Sequence, residues 1–254
     1  MKAQVEFTNV GLTYQTDSAE VTALKAINFS VQQGELLSIL GPSGCGKTTI
    51  LGLIAGLIKP TTGQVNVHTD GKDKEDAVVG YMLQKDSLLP WRTVYKNTLL
   101  GLELRGADTK ENRAYVDALL KKYELDAFKE HYPNELSGGM RQRVALIRTL
   151  ALKPDILLLD EAFSALDYQM RLAASNDVHR ILKEEKKTAI MVTHDIAEGI
   201  SMSDRVLLLS NRPGTIEKEL ALDFNPEQTP LERRSSDAFR EYFNVIYKKL
   251  AQDD

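Results

Sequence analysis

The sequence predicts an α/β fold built on a parallel sheet, and three observations carry that reading. Apolar runs of strand length, Glu35-Leu36-Leu37-Ser38-Ile39-Leu40, Ile156-Leu157-Leu158-Leu159 and Ala189-Ile190-Met191-Val192, end in glycines or polar residues, as strands buried on both faces do. Long helical patterns precede the second and third of these runs, and strands alternating with helices argue a parallel, doubly wound core. From about Thr93 to Leu152 helical patterns continue with no comparable strand. That span, taken as about 88–152, is expected to be a helical subdomain inserted into the core.

In chain order, Val5 to Tyr14 is strand-rich, with apolar residues at Val5, Phe7, Val10 and Leu12. Asp17-Ser18-Ala19-Glu20 reads as a polar turn, and Val21 to Val31 continues the β character. Gln32-Gln33-Gly34 turns the chain into the first buried strand, and the residues after Lys47 have the length and pattern of a helix. Lys183 to Lys187 is a charge run, read as a solvated helix end. Phe239, Phe243, Ile246 and Leu250 fall at helical spacing, a stripe that ordinarily packs on its own domain. The expected organisation is one large domain over 5–230 followed by a helical tail over 231–254.

Composition narrows the function classes. The 254 residues suffice for one large domain, and 43% hydrophobic with 27% charged residues is ordinary for a globular protein. A net charge of −4 provides no global basic field, so no nucleic-acid partner is expected. The single cysteine, Cys45, excludes an intramolecular disulfide and suits a reducing compartment. The N-terminus lacks the apolar stretch of a signal peptide, and no apolar run reaches the ~20 residues needed to span a bilayer. Any membrane role is expected to be peripheral, through a partner chain.

Gly41-Pro42-Ser43-Gly44-Cys45-Gly46-Lys47-Thr48, followed by Thr49, fits the phosphate-binding pattern G-x-x-x-x-G-K-[ST] in full, between a buried strand and a helix. Glycines let backbone N–H groups turn inward as a nest for phosphate oxygens, and the helix points its positive end at the same anion. Lys47 is placed to reach the β- and γ-phosphates and Thr48 to bind Mg2+. Asp160 and Glu161 end an apolar strand. A phosphoryl-transfer site needs one carboxylate on the metal and one group on the water, and these two suit those roles in that order. Ser137-Gly138-Gly139 opens a helical run and offers a hydroxyl and free N–H groups to an anion, although an ordinary capped helix reads the same way locally. Asp195 and Glu198 have capping-box spacing, and Cys45 is assigned no chemistry, though a helix N-terminus is expected to lower a thiol pKa.

With these motifs in order, the chain resembles the ATP-binding cassette ATPases from about Phe7 to Ile216. LSGGMRQR is similar to that family's signature, and GPSGCGKT and ILLLDE to its two phosphate-site motifs. The resemblance implies an N-terminal antiparallel β subdomain beside a P-loop NTPase core. It implies that Gln84 contacts metal and water and senses a membrane partner, that Asp167 lies in the D-loop Ser164-Ala165-Leu166-Asp167, that His194 is the H-loop histidine orienting the γ-phosphate, and that Tyr14 lies against adenine. Two departures stand out. Ala162 replaces the usual proline after the glutamate, which is expected to loosen that turn, and Arg148-Thr149-Leu150 replaces the more usual alanine-arginine-alanine.

The resemblance further implies ATP and Mg2+ as cofactors, Glu161, His194 and Gln84 as the catalytic set, and a head-to-tail pair of chains with ATP between them. Leu88 to Val94 and Asn211 to Ile216 resemble the nitrate/sulfonate/taurine branch. That implies a cassette at the cytoplasmic face of the membrane, docked on a transmembrane permease and served indirectly by an extracytoplasmic solute-binding protein. A soluble, non-transport cassette ATPase is the alternative. It fits less well, because fewer than a hundred residues separate Lys47 from Ser137, leaving no room for a long coiled coil.

Overall fold

A computed structural model describes residues 3–15, 19–68, 78–164 and 166–251. The expected turn at 17 and 18 and residue 165 of the D-loop lie outside the described residues. Strands β1 (Ala3–Gln15) and β2 (Glu20–Gln32) pair antiparallel, and β4 (Thr62–Val67) adds to β1 on the other side. Their inward residues do not keep a strict period of two. Asn9 and Ala26 sit at φ 50° and 51°, each at a break in register. Such bulges re-aim the next side chain, so Val10 follows Phe7 into the core and Ile27 follows Leu24. Phe7 and Phe29, directly paired, stack at 4.5 Å.

The second sheet has six strands in the order β5 (Val79–Met82), β6 (Ile156–Asp160), β7 (Thr188–Val192), β3 (Leu36–Leu40), β8 (Arg205–Leu209) and β9 (Ile216–Ala221). All neighbours are parallel except β9, an antiparallel edge. Strands β3, β6 and β7 are buried along their whole length, which explains their unbroken apolar sequences. The half-exposed β4 and the four-residue β5 carry no such run, so sequence pattern did not single them out.

Helix α1 (Lys47–Ile54) follows β3 and packs between the two sheets, where Ile50, Leu51, Leu53 and Ile54 join Val5, Phe7 and Ile39 in one core cluster. The expected helical insert is α2 (Val94–Leu104), α3 (Lys110–Lys122), two short 3-10 turns and α4 (Gly138–Leu150). With α5 (Tyr168–Glu184) it forms a second cluster on the other face of the sheet. Helices α6 (Ile196–Met202), α7 (Pro230–Arg234) and α8 (Asp237–Leu250) close the chain. Ile246 is fully buried beside Leu40, Ile200 and Leu208, with Phe239, Phe243 and Leu250 packed around it. Buried Arg233 donates to the carbonyls of Ser201 and Ser203, neutralising the C-terminal end of α6. The charge run at 183–187 is only partly solvated: Lys183 holds Asp204 at 2.8 Å and Lys187 donates to the Pro154 carbonyl. No helix among the described residues is long and apolar enough to cross a membrane.

Candidate nucleotide site

Register places the site. Ile39 of β3 and Asp160 of β6 both lie opposite Val192 of β7, so the loops that follow these three strands leave the sheet at one end and side by side. The loop after β3 is the glycine-rich segment. Gly46 sits at φ 107°, where a Cβ would lie 2.5 Å from the Leu24 side chain, so only glycine fits that turn unstrained. Gly46 is also the N-cap of α1 and provides no side-chain cap, whereas Thr93, Thr109, Ser137, Asp167, Asp195, Thr229 and Ser236 cap the other described helices with an oxygen. The first turn of α1 therefore keeps its N–H groups for an outside anion. Ser43, Gly44, Gly46, Lys47, Thr48 and Thr49 line a cavity of about 300 Å³. The Lys47 amine is folded back onto its own loop, donating to the carbonyls of Gly41 and Pro42 at 2.7 Å each. Tyr14 lies at the same cavity, its hydroxyl 3.2 Å from Thr49 Oγ1.

The acids arrive from β6. Asp160 is 9% exposed and accepts from Thr48 Oγ1 at 3.2 Å and from the Tyr81 hydroxyl at 3.0 Å. Burial raises its pKa, while those two hydrogen bonds act against the rise. The next residue, Glu161, has φ 44°, left-handed backbone held by its N–H donating to the Val192 carbonyl at 2.9 Å. Its Oε2 accepts from Gln84 Nε2 at 3.3 Å and lies 3.3 Å from His194 Nδ1. Gln84 also donates to Ser164 Oγ at 3.2 Å. Gln84, Glu161 and His194, from three strand ends, thus meet around one carboxylate.

The Ser-Gly-Gly segment lies elsewhere. Gly138 lines a separate cavity of about 420 Å³ with Gln84, Asp86, Arg141, Leu166 and Asp167. Within the single chain Ser137 caps α4, accepting from Met140 N at 3.3 Å, and Asp167 caps α5, accepting from Met170 N at 3.0 Å. A Cβ at Gly139 would meet nothing within 4 Å. The fold therefore groups the glycine-rich loop, Asp160, Glu161, Gln84 and His194 at one end of the sheet, whereas Gly138 and Asp167 line the other cavity, which Gln84 also borders.

Known proteins match this arrangement. The ABC transporter family profile covers residues 24–164. The chain is 47% identical over 244 residues to the ABC transporter ATP-binding protein YtlC of Bacillus subtilis, covering 94% of this chain and 92% of that protein. It is 40% identical over 230 residues to the nitrate import ATP-binding protein NrtD of Synechocystis, covering 90% and 86%. A solved dimer of the ATP-binding cassette MJ0796, in a post-hydrolysis state bound to ADP and Pi, superposes with a TM-score of 0.71 at 35% identity, covering 87% of this chain and all of that one. This chain belongs to the ABC transporter family. It is an ABC-type ATPase that converts ATP to ADP and phosphate.

One expectation is overturned, and two further residues border the site. Cys45 is 1% exposed and packs into the core beneath the loop, and burial raises its thiol pKa rather than the helix terminus lowering it. Ala162 is buried in the core beside fully buried Phe163, and Ser164 N closes the turn on the Glu161 carbonyl at 3.1 Å. Two site residues were missed. Tyr81 stands three residues before Gln84 on a strand too short to be recognised, and Arg212, noted only as part of a branch-like stretch, lines the cavity of the glycine-rich loop.

Proposed function

We propose that this cassette works as one of a head-to-tail pair and energises import of a small anion through a separate membrane permease. The observation that supports the pairing is the division of the site. Lys47, Thr48 and Glu161 line one cavity, whereas Gly138 and Asp167 open on another. A twofold pair would set each Ser137-led helix across the partner's glycine loop, and such an isologous contact completes both sites at once. Moving the pair from 1:99 to 99:1 closed requires about 5.5 kcal/mol of differential binding. Charge-assisted hydrogen bonds at about 1.5–3 kcal/mol each, made to one γ-phosphate from both sides, reach that sum.

Within each site we assign Lys47 to the β- and γ-phosphates, Tyr14 to the adenine face, and Thr48, Asp160 and Gln84 to Mg2+. The donor set fits that ion. Mg2+ takes hard oxygen ligands and usually only one or two carboxylates, and the Thr48 hydroxyl and Asp160 carboxylate stand 3.2 Å apart. When bound, Mg2+ supplies neutralisation of phosphate charge. Glu161 takes the proton of, or orients, the attacking water. Gln84 and His194, both within 3.3 Å of its Oε2, hold that carboxylate in place, and His194 orients the γ-phosphate.

NrtD, by its name, serves nitrate import, and the branch resemblance of Leu88–Val94 points to the same cargo class. We assign the cassette to the cytoplasmic face of the membrane, held there by its permease and fed through an extracytoplasmic binding protein. The test has two parts. Glu161→Gln should retain ATP binding, lose turnover roughly 10²–10⁴-fold and accumulate as an ATP-loaded dimer in light scattering. Near-normal turnover refutes the role of Glu161, and a monomer enclosing ATP alone refutes the pairing. Co-purification with the permease should then give ATPase activity stimulated by anion-loaded binding protein. Activity indifferent to permease and cargo would favour the non-transport reading.

A further inference from the structure

Arg212 lies on the loop between β8 and β9, outside every motif of the site, yet it lines the nucleotide cavity beside Tyr14 and Gly44. Its Nε and Nη2 both donate to the Gly44 carbonyl, at 3.2 and 3.0 Å. Gly44 is in left-handed backbone at φ 76°. A loop whose N–H groups turn inward must turn carbonyls outward, and the guanidinium fork receives one of them. The loop holding Arg212 is itself fastened. Lys25 N donates to the Gly214 carbonyl and Gly214 N to the Ala23 carbonyl, both at 2.9 Å. A Cβ at Gly214 would lie 2.2 Å from the Cys45 carbonyl oxygen, so this backbone rests directly on the phosphate loop. Among the residues lining the cavity, Lys47 and Arg212 are the two cations.

We propose that Arg212 is a nucleotide-binding residue, which fixes the Gly44 peptide from outside and brings a second positive charge to the phosphates of ATP. A permanently charged, weakly hydrated fork suits both tasks at once, because one edge can hold a carbonyl while the charge acts on the polyphosphate. Val21 and Ala23 of β2 line the same wall, so β2, the phosphate loop and the Arg212 loop together enclose the bound nucleotide. The inference rests on the reading of this cavity as the ATP site.

The test compares Arg212→Lys and Arg212→Gln with the wild type by calorimetric titration of MgATP and MgADP. One lost charge contact of this kind corresponds to about a tenfold rise in Kd for Arg212→Gln, with the loss falling on KM more than on kcat. Arg212→Lys should recover most of the affinity, and the gap between wild type and Arg212→Gln should shrink as salt rises from about 0.05 to about 0.5 M. Equal affinity in Arg212→Gln overturns the proposal. So does an equal loss in both variants, or a gap indifferent to salt, since either would make Arg212 a tie of the loop alone. Absence of MgATP binding by the wild type would instead overturn the cavity's assignment.

Discussion

Glu161 combines its proposed role with an uncomfortable backbone. Its φ of 44° places a long side chain in the left-handed region, at a cost of order 1–3 kcal/mol. The surroundings impose it: the N–H is held by Val192 and the carboxylate by Gln84 and His194. The strain aims the side chain across the end of the sheet instead of continuing the strand. Glu161→Gly relieves it, so that variant should melt no lower than the wild type while hydrolysing no ATP above background. A clearly lower melting temperature would mean that the conformation carries no strain. Asp160 shows the complementary case, a carboxylate kept in regular β geometry with each oxygen receiving a hydroxyl.

Among the elements, α6 links the site to the C-terminal helices. It begins at Asp195, next to His194, and its buried Glu198 faces Thr193 and Asp195 on its own segment, Arg171 of α5 and Arg234 of α7. Asp195 accepts from Glu198 N, so the capping spacing seen in the sequence is used. The Glu198 carboxyl does not complete a box, and its Oε1 is buried without a partner. Burial, the largest influence, raises its pKa from 4.5 to about 7, and the Asp195 charge adds to the rise against Thr193 and the two arginines. Below pH 4.5 the group is protonated folded and unfolded, and above about 7 it is ionised in both. Between these limits the unfolded chain releases its proton first, so stability falls as pH rises through the window. Glu198→Gln should remove that fall, leaving melting temperatures at pH 5 and pH 8 closer together than in the wild type. An unchanged difference would show that Glu198 ionises freely.

For the whole molecule, the proposed sandwich predicts complementation between two defective chains. Lys47→Ala lacks the amine proposed to reach the phosphates, which is also a hydrogen-bond donor of the loop. Gly139→Asp should fold, since a side chain there meets nothing within 4 Å in the single chain. In a pair, its carboxylate would face the partner's phosphates. Neither variant alone should hydrolyse ATP. Mixed, they form heterodimers in which one site takes Lys47 from the Gly139→Asp chain and an intact Ser137-Gly138-Gly139 from the Lys47→Ala chain. ATPase activity above either variant alone is the expected result. No gain on mixing, with heterodimers verified by mass, would refute a shared site.

Neighbouring residues were sufficient wherever the chemistry is local. Eight consecutive residues build the phosphate loop, and two consecutive acids end a strand, because backbone turns and strand ends are written in adjacent side chains. The rest depended on how distant segments pack. Gln84 and Glu161 are 77 positions apart, yet they touch because β5 and β6 are neighbours in the sheet. Arg212 reaches Gly44 across 168 positions because its loop is pinned to β2. The raised pKa values of the Cys45 thiol and the Glu198 carboxyl likewise follow from burial, which depends on what packs above a residue and not on what precedes it. Spacing along the chain encodes turns and periods, whereas strand order and desolvation arise only when distant segments share one core.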